Sequence, residues 1–369
     1  MLKIISLVGA RPQFIKAASL SRIFNSQYSD KVDEIIVHSG QHYDDKMSAV
    51  FFSELEIPLP KYNLEVGSGS HATQTAETTI KLEKILLEEK PDCVVVFGDT
   101  NTTLAGTLAA SKLNIPIAHI ESGLRSFNKE MPEEINRIIT DTLSTFLFCP
   151  TEEGVKNLSH LKSDKSQPTS GLNPFVENVG DIMLDSSLFY SKKASQEILS
   201  SIGLERDNYA LATIHRDFNT DNKQRLTDIF VTLNALAERL PIAIPLHPRT
   251  VQKLKEHNIT HLGNIKIIPP VSYLEMLALE AHSKFIITDS GGVQKEAFFL
   301  KKSSLILRNE TEWIEIVENE NALLCDADPE KIINGFNHWM SSPELSYPSF
   351  YGKGNTAELI CNTLVNQLK

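Results

Sequence analysis

The feature that most constrains the fold is a regular alternation of short apolar segments with segments of helical periodicity. In the first half of the chain the apolar segments are residues 4–8, 34–37, 93–97, 117–120 and 146–149. In the second half they are residues 209–213, 242–245, 265–268, 285–288, 304–307 and 322–324. Strands that are apolar throughout and separated by helices predict parallel sheets covered on both faces. We therefore predict an α/β fold with two Rossmann-like, doubly wound domains facing a cleft, with ligands at the carboxyl ends of the strands.

The predicted helices follow the strands and leave one candidate boundary between the two series. Helices are expected from about Pro12, from about Asp45, and over residues 103–113, 132–143 and 355–368. The segment 163–174 is rich in Ser, Pro, Gly, Asp and Lys, which is typical of a connection between domains. The length of 369 residues also suggests about two domains.

Composition and charge disfavour several classes of protein. The chain has 36 Lys and Arg against 47 Asp and Glu, a net charge of −11, whereas nucleic-acid binders usually present a basic face. The four cysteines are far apart and lack metal-ligand spacing, so buried free thiols are expected. No apolar segment reaches the ~18 residues of a membrane span, and the N-terminal segment reads as a strand rather than a signal peptide. We expect a cytoplasmic protein without metal or cofactor, since the sequence has no dinucleotide fingerprint, P-loop or nucleophile elbow.

A glycine pair marks the strongest candidate ligand site in the second half. After the apolar segment 285–288 come Ser290, Gly291 and Gly292, where a helical pattern begins. Glycines at a strand-to-helix turn let an anion approach backbone N–H groups and the positive end of the helix dipole, and the serine adds a hydroxyl donor. Glu296, about one turn into the helix, can accept hydrogen bonds from ribose hydroxyls. The pattern predicts a nucleotide site, although a glycine turn capping an ordinary helix fits the same residues.

Carboxylates near strand ends are the candidates for acid–base chemistry in the first half. Asp99, Glu121 and Glu133 follow predicted strands, where ligands of parallel sheets bind. Two of them also have structural explanations, because Asp99 can cap a helix and Glu133 suits the positive end of a helix dipole. Glu121 needs a cationic partner, for which Arg125 and Arg137 are candidates. As a set of three at one edge, the carboxylates favour catalysis.

Histidines and basic residues at strand ends suggest an anionic substrate. His215 is a candidate acid or base because the ordinary pKa of histidine lies near neutrality. His247 is more typical of a packed, hydrogen-bonded histidine, and a binding role is the alternative. The basic residues predicted near strand ends are Arg11, Lys16, Arg216, Arg249 and Arg308. Local positive charge in an acidic chain suits a diphosphate, so cofactor-free acid–base or group-transfer chemistry on a nucleotide-linked molecule is expected.

Eight short segments, in this order, carry a resemblance to a known family. They are Gly9-Ala-Arg-Pro12, Gly98-Asp-Thr100, His119-Ile-Glu-Ser-Gly-Leu-Arg125, Pro132-Glu-Glu-Ile-Asn-Arg137, Val179-Gly-Asp181, His215-Arg216, His247-Pro248 and Asp289-Ser-Gly-Gly-Val-Gln-Lys-Glu296. With them the chain resembles the non-hydrolysing UDP-N-acetylglucosamine 2-epimerase family from end to end. The resemblance implies a glycosyltransferase-B-like fold whose C-terminal helix packs on the first domain. The expected domains are therefore residues 1–172 plus 355–369, and residues 173–354.

The resemblance also implies roles for individual residues and a reaction. The catalytic positions of the family fall on Asp99, Glu121, Glu133 and His215, and the UDP site falls on Ser290, Gly291, Gly292 and Glu296. Further contacts to the UDP-sugar are expected from Arg11, Lys16, Arg216, His247 and Arg249. Without a cofactor, UDP is eliminated across C1–C2 of the sugar to give a 2-acetamidoglucal, and is added back while a proton returns to the opposite face of C2. Analogy with the family suggests a homodimer.

Three segments depart from members of the family that act on UDP-N-acetylglucosamine. Those members often have Gly-Thr-Arg-Pro-Glu in the first loop, where this chain has Ala10 and Gln13. They often have Gln-His-Arg and a later Arg-Gln pair, where this chain has Gln41-His42-Tyr43-Asp44 and Thr73-Gln74. These positions belong to an activator site for a second UDP-N-acetylglucosamine, so that activation is not expected here. The first loop is more similar to members acting on UDP-2,3-diacetamido-2,3-dideoxy-glucuronic acid, which supply surface-polysaccharide synthesis.

Several hypotheses about function remain open from the sequence. The leading one is a UDP-N-acetylglucosamine 2-epimerase, with the diacetamido uronic acid as the alternative substrate. A hydrolysing relative would release UDP and free N-acetylmannosamine. A glycosyltransferase of the same fold would need an acceptor but no acid–base pair at C2, so the three strand-end carboxylates disfavour it. The number of titratable strand-end residues disfavours a non-enzymatic nucleotide-sugar sensor.

Overall fold

The structure, a computed structural model, describes residues 1–40, 52, 54–163, 174–260 and 262–368. The chain forms two compact units, the first consisting of Met1–Ser186 with Ser349–Lys369 and the second of Ser187–Pro348. The loop 41–44 and the start of the helix expected from about Asp45 lie outside the described residues, as does most of the expected boundary segment 163–174.

The first unit is built on a parallel sheet of seven strands. The strands are β1 (Leu2–Val8), β2 (Val32–His38), β3 (Tyr62–Asn63), β4 (Cys93–Phe97), β5 (Ile117–Ile120), β6 (Phe146–Cys149) and β7 (Phe175–Asn178). They pair in the order β3-β2-β1-β4-β5-β6-β7. The helices between them are α1 (Arg11–Gln27), α2 (His71–Glu89), α3 (Asn101–Lys112), α4 (Pro132–Leu143), α5 (Glu152–Asn157) and α6 (Ser159–Ser163).

The second unit contains a parallel sheet of six strands. The strands are β8 (Ala210–Thr213), β9 (Ile242–Pro245), β10 (Lys266–Ile268), β11 (Phe285–Thr288), β12 (Ser304–Ile306) and β13 (Ala322–Leu324), in the order β10-β9-β8-β11-β12-β13. The division between the units falls within α7 (Ile182–Lys193). The helices of the second unit are α8 (Glu197–Ser201), α9 (Asp217–Thr220), α10 (Lys223–Leu236), α11 (Pro248–Glu256), α12 (Tyr273–His282), α13 (Gly291–Phe299), α14 (Ile314–Glu318) and α15 (Pro329–Met340).

Burial explains why the apolar segments of the sequence become strands. All five residues of β4 and all four of β11 are buried, as expected for strands covered on both faces. At the start of α1, Pro12 occupies the first turn, where its missing N–H leaves no helical bond unmade. The prediction of an α/β fold with two doubly wound parallel sheets is confirmed.

Several elements of the first unit were not predicted from the sequence, among them two edge strands and a long surface helix. The strands β3 and β7 lie at the two edges of the sheet, and neither carries a long apolar segment. The helix α2 buries only five of its nineteen residues, and two of those five, Thr78 and Glu89, are polar. Its start is nevertheless marked by Ser70, whose hydroxyl accepts a hydrogen bond from the N–H of Thr73 at 3.3 Å. Edge strands and surface helices therefore carry the weakest sequence signals in this chain.

The compact units divide between residues 186 and 187, whereas the composition placed the connection between the domains within residues 163–174. The difference arises because β7 pairs with β6, from Phe146 with Phe175 onward, and so continues the first sheet. The C-terminal helix α16 (Thr356–Gln367) belongs to the same unit. Its first N–H groups, those of Thr356 and Ala357, donate to the buried carboxylate of Asp185 at 3.1 and 2.8 Å.

Two further expectations concerned buried cysteine thiols and membrane-spanning segments. Cys93, Cys149, Cys325 and Cys361 are all buried and free. Burial raises the pKa of the Cys93 thiol, so this side chain behaves as a small apolar group. Within the described ranges, none of the helices combines the length and apolarity needed to cross a bilayer.

We predict that Glu34→Gln stabilises the protein at neutral pH. Burial raises the pKa of Glu34 from 4.5 to about 6, although the hydroxyls of Ser21 and Ser6 oppose the shift. The folded state therefore binds this proton more tightly than the unfolded state, and stability falls as pH rises from about 4.5 to about 6. At about 1.4 kcal/mol per pKa unit, removing the charge should add up to about 2 kcal/mol above pH 6 and almost nothing at pH 4.

Urea unfolding of both proteins at the two pH values measures this difference. Glu83→Gln, an exposed carboxylate on α2, is the matched control and should leave stability nearly unchanged. A stabilisation by Glu34→Gln that is the same at both pH values would contradict the assignment.

Candidate functional site

The register of two neighbouring strands places carboxylates at one edge of the first sheet. β4 and β5 pair in parallel, with Phe97 opposite Ile120. Asp99 follows β4 by two residues and Glu121 directly follows β5. The N–H of Gly98 donates to the carbonyl of Ile120 at 3.0 Å, which ties the two strand ends together. The structure thus brings together two of the carboxylates predicted from the sequence.

Glu121 forms an ion pair with Lys16 of α1, and both side chains are largely buried. A Cβ atom at Gly98 would lie 3.3 Å from Oε2 of Glu121 and 3.4 Å from Nζ of Lys16. Gly98 also has a φ of 63°, a conformation that favours glycine. A glycine at this position therefore leaves room for the ion pair. The predicted partners of Glu121 were arginines, whereas its ion-pair partner here is a lysine from a distant helix.

Asp99 has the environment of a carboxyl group that holds its proton more tightly than an exposed aspartate does. Its Oδ2 accepts a hydrogen bond from Nη1 of Arg137 at 3.0 Å. Burial and the charge of Glu121 raise the pKa of Asp99, and the charges of Arg137 and Lys16 partly oppose this. Glu133, exposed in the first turn of α4, adds its charge to the same effect. A raised carboxyl pKa is typical of groups with acid–base roles.

Gln13 holds the first loop to the end of β4, a role that its place in the sequence did not reveal. Its Oε1 accepts from the N–H groups of Gly9 and Ala10 at 2.8 and 3.0 Å. Its Nε2 donates to the carbonyl of Phe97 at 2.8 Å and lies 3.0 Å from Oγ1 of Thr100. The amide accepts on one side and donates on the other, whereas an ionised glutamate has no donor and could not make the same contacts. The first residue of α1, Arg11, is exposed beside this loop.

In the second unit, Asp289 organises the loop that carries His215. Its buried carboxylate accepts from the N–H groups of His215 at 3.1 Å and Arg216 at 3.0 Å, and from Nδ2 of Asn219 at 3.1 Å. The imidazole of His215 is half exposed, with Nδ1 3.6 Å from Oδ1 of Asp289. Partial loss of hydration lowers the pKa of His215, although the charge of Asp289 opposes the shift, so burial favours the neutral ring. Asp289 directly follows β11, which is the sequence signal that could have identified it.

The predicted glycine motif forms the start of α13. Ser290 precedes the helix, and its side chain makes no capping bond, so the hydroxyl is available at this end. The indole N–H of Trp313 donates to the carbonyl of Gly291 at 2.9 Å. A Cβ atom at Gly291 would lie 3.7 Å from Nη1 of Arg308. The guanidinium of Arg308 also donates two hydrogen bonds of 2.8 Å to the carboxylate of Glu312. The helix start therefore combines free N–H groups with a neighbouring guanidinium, as an anion site requires.

Three further predicted residues lie in the second unit. Glu296 is buried on α13. The burial of Glu280, together with the charge of Glu296, raises the pKa of Glu280 well above its usual range. His247 is exposed at the start of α11, and its Nδ1 accepts from the N–H of Arg249 at 3.3 Å. The guanidinium of Arg249 is occupied by the exposed carboxylates of Asp217 and Asp221. The contacts of Arg249 are thus those of a surface ion-pair network.

Comparisons with known proteins match this chain to UDP-sugar 2-epimerases over nearly its whole length. A model of the family described as UDP-N-acetylglucosamine 2-epimerase matches residues 25–365. A UDP-N-acetylglucosamine 2-epimerase homolog of Methanococcus maripaludis is 47% identical over 99% of this chain and 100% of its own length. The UDP-2,3-diacetamido-2,3-dideoxy-D-glucuronate 2-epimerase of Pseudomonas aeruginosa is 44% identical over 98% of this chain and 99% of its own.

A solved structure shares the fold. It is that of the Methanocaldococcus jannaschii UDP-GlcNAc 2-epimerase in complex with UDP-GlcNAc and UDP, with a TM-score of 0.82 and 41% identity. The match covers 99% of this chain and 100% of that one. The expected glycosyltransferase-B-like fold is confirmed by this similarity.

We predict that Asp289→Asn destabilises the protein by about 3 kcal/mol, because an amide NH₂ would face N–H donors in a buried site and the charge-assisted bonds would be lost. Urea unfolding measures the loss. The matched control is Asp228→Asn, a surface carboxylate on α10 that accepts from Nε2 of Gln224 at 2.8 Å, and it should change stability by less than about 0.5 kcal/mol. Equal stability of the two variants would show that Asp289 does not hold the loop.

Proposed function

The chain belongs to the UDP-N-acetylglucosamine 2-epimerase family, and from this premise we propose that it inverts C2 of a UDP-linked N-acetylhexosamine without hydrolysing it. The enzyme is then an isomerase that needs no cofactor. The observation that carries the proposal is the pair of strand-end carboxylates in different environments, Asp99 with a raised pKa and Glu121 paired with Lys16. Two carboxyl groups in different environments can serve as acid and base in one reaction.

The reaction avoids the removal of an unactivated proton. C2 of the sugar is not adjacent to a carbonyl group, so a free carbanion there would be very unstable. If a base takes the C2 proton while the C1–O bond breaks, the electron pair forms a C1–C2 double bond and UDP leaves as an anion. UDP then adds back to C1 of the 2-acetamidoglucal while a proton is delivered to the opposite face of C2. The C2 centre is inverted and the glycosidic bond is restored.

The proposal assigns the proton transfers to the first unit. Asp99, Glu121 and Glu133 are the groups that remove and return the proton at C2. The neighbouring cation Lys16 favours the ionised form of Glu121, which suits a base. Burial favours the protonated form of Asp99, which suits an acid.

The proposal assigns the nucleotide to the second unit. The N–H groups at the start of α13, with Ser290, Gly291 and Gly292, bind the diphosphate, and Glu296 accepts bonds from the ribose. His215 and Arg216 stabilise the negative charge that develops as UDP departs. Further contacts to the UDP-sugar are assigned to Arg11, His247 and Arg249.

The diacetamido uronic acid is the second candidate substrate, and the first loop favours it. Gln13 uses both ends of its amide to hold this loop. Many members of the family have a glutamate at this position, and an ionised glutamate could not make the same set of contacts. The Pseudomonas aeruginosa relative that acts by name on this sugar nucleotide is 44% identical. The protein would then supply surface-polysaccharide synthesis.

A homodimer and a cytoplasmic location complete the proposal. In the first unit, α2, α3 and α4 line an apolar groove, and Ile80 and Ile135 beside it are 57% and 44% exposed. An apolar groove of this kind fits a second copy of the chain. The four buried, free cysteines support a reducing compartment.

We predict that the protein incorporates deuterium at C2 of UDP-N-acetylglucosamine in deuterated water, with UDP-N-acetylmannosamine appearing in the proton NMR spectrum. Asp99→Asn should slow this exchange by roughly 10²–10⁴-fold, because an amide cannot exchange the proton. Asp92→Asn is the matched control, since this carboxylate lies before the amino end of the same strand and accepts from the N–H of Lys3 at 2.8 Å.

The other outcomes separate the alternatives. Free N-acetylmannosamine with UDP would identify a hydrolysing enzyme. Exchange only with the diacetamido uronic acid would select the second substrate. No exchange with either sugar nucleotide would overturn the epimerase proposal and favour a glycosyltransferase. Wild-type exchange by Asp99→Asn would remove this residue from the mechanism.

We predict that Ile135→Glu converts the dimer to a monomer in size-exclusion chromatography with light scattering, because a charge would enter the apolar interface. Ile333→Glu, at a site 40% exposed on α15, is the matched control and should leave the mass unchanged. A monomeric wild-type chain would contradict the proposed assembly.

A further inference from the structure

The ring of His119 lies completely buried between two hydrogen-bond acceptors. It belongs to β5 and has no exposed surface. Its Nδ1 is 2.7 Å from Oδ1 of Asp141, and its Nε2 is 2.8 Å from the carbonyl oxygen of Gly98. Both distances are those of good hydrogen bonds. The nature of the two acceptors determines which ring nitrogens carry protons.

Asp141 is an ionised acceptor. It is fully buried on α4, and its Oδ2 also accepts from Nη1 of Arg125 at 2.5 Å and from the N–H of Gly123 at 3.2 Å. Burial opposes ionisation of Asp141, but the pKa of this carboxyl is lowered, and the guanidinium of Arg125 favours its ionised form independently of the state of the ring. A carboxylate in this state has no proton to donate to the ring.

The second acceptor has no alternative state, because a backbone carbonyl never donates. A neutral imidazole has one N–H group and one lone pair, so one of its two contacts would set a lone pair against an oxygen in a dry site. We propose that His119 carries a proton on both nitrogens and is a buried imidazolium that positions the Gly98–Asp99 peptide and places a positive charge behind the strand-end carboxylates.

The position of the ring connects it with the chemistry. Gly98, whose carbonyl accepts from His119, immediately precedes Asp99 and borders the Lys16–Glu121 ion pair. The charged groups of this strand-end region are Asp99 after β4, Glu121 and Arg125 after β5, Lys16 on α1, and Glu133, Glu134, Arg137 and Asp141 on α4. Its carboxylates outnumber its arginines and lysines, so a further buried cation stabilises their ionised forms. His119 is therefore a positioning residue.

The charge of the ring is tested directly by nuclear magnetic resonance of the full chain with ¹⁵N-labelled histidine. One buried imidazole should show two ring N–H cross-peaks at neutral pH, and both should vanish in His119→Gln. If that variant does not fold, the peaks are assigned by nuclear Overhauser contacts to the amide proton of Gly123, which donates to the same carboxylate. A single N–H group on this ring would overturn the proposal.

A second measurement links the charge to activity, and this part rests on the proposed epimerase function. In His119→Gln the acidic limb of the pH profile of kcat/KM should move to higher pH by roughly one unit, because ionised carboxylates lose a neighbouring cation. Thr140→Val, a buried neutral change one residue from Asp141, is the control for destabilisation and should not move the limb. If His119→Gln has a lower melting temperature but an unshifted acidic limb, His119 contributes only to packing, which would contradict its proposed effect on the carboxylates. The resonance experiment needs no activity, so failure of the epimerase proposal would leave it intact.

Discussion

Both sheets are covered on two faces, and the rest of the molecule depends on this constraint. The strands β4 and β11 are buried along their whole length, where an unpaired polar group would be costly. Polar side chains therefore collect where strands end, and parallel pairing brings the ends of neighbouring strands to the same edge. The register of β4 with β5 places Asp99 near Glu121, and that of β8 with β11 places Asp289 under the loop of His215.

Buried polar groups then hold the loops that the chemistry needs. Three side chains accept hydrogen bonds from backbone N–H groups of strand-end loops, namely those of Gln13, Asp141 and Asp289. None of the three is placed to touch the reacting carbons in the proposed mechanism. Their common effect is to keep neighbouring loops in one conformation, which is the condition for electrostatic stabilisation of a transition state. The candidate site therefore depends on these buried polar residues as much as on its strand-end carboxylates.

Much of the fold was predictable, because buried strands and glycine turns leave local signals. The apolar segment of β11, followed by Ser290 and the glycine pair, identified both a strand and a candidate anion site. The edge strands β3 and β7 and the surface helix α2 were missed, since they do not need an apolar segment to form. The strand β7 continues the first sheet, so the first compact unit extends to Ser186, beyond the connecting segment that the composition indicated.

The sequence by itself determined the alternation of strands and helices, the position of the glycine turn and the chemical types available at the strand ends. Only the tertiary structure decided which of those groups become partners. Asp99 and Arg137 are 38 residues apart, Lys16 and Glu121 are 105 apart, and His119 and Asp141 are 22 apart. Such pairs depend on strand register and on the rotation of each helix against the sheet. The charge of each group depends in turn on its burial and its partner, neither of which is a property of the local sequence.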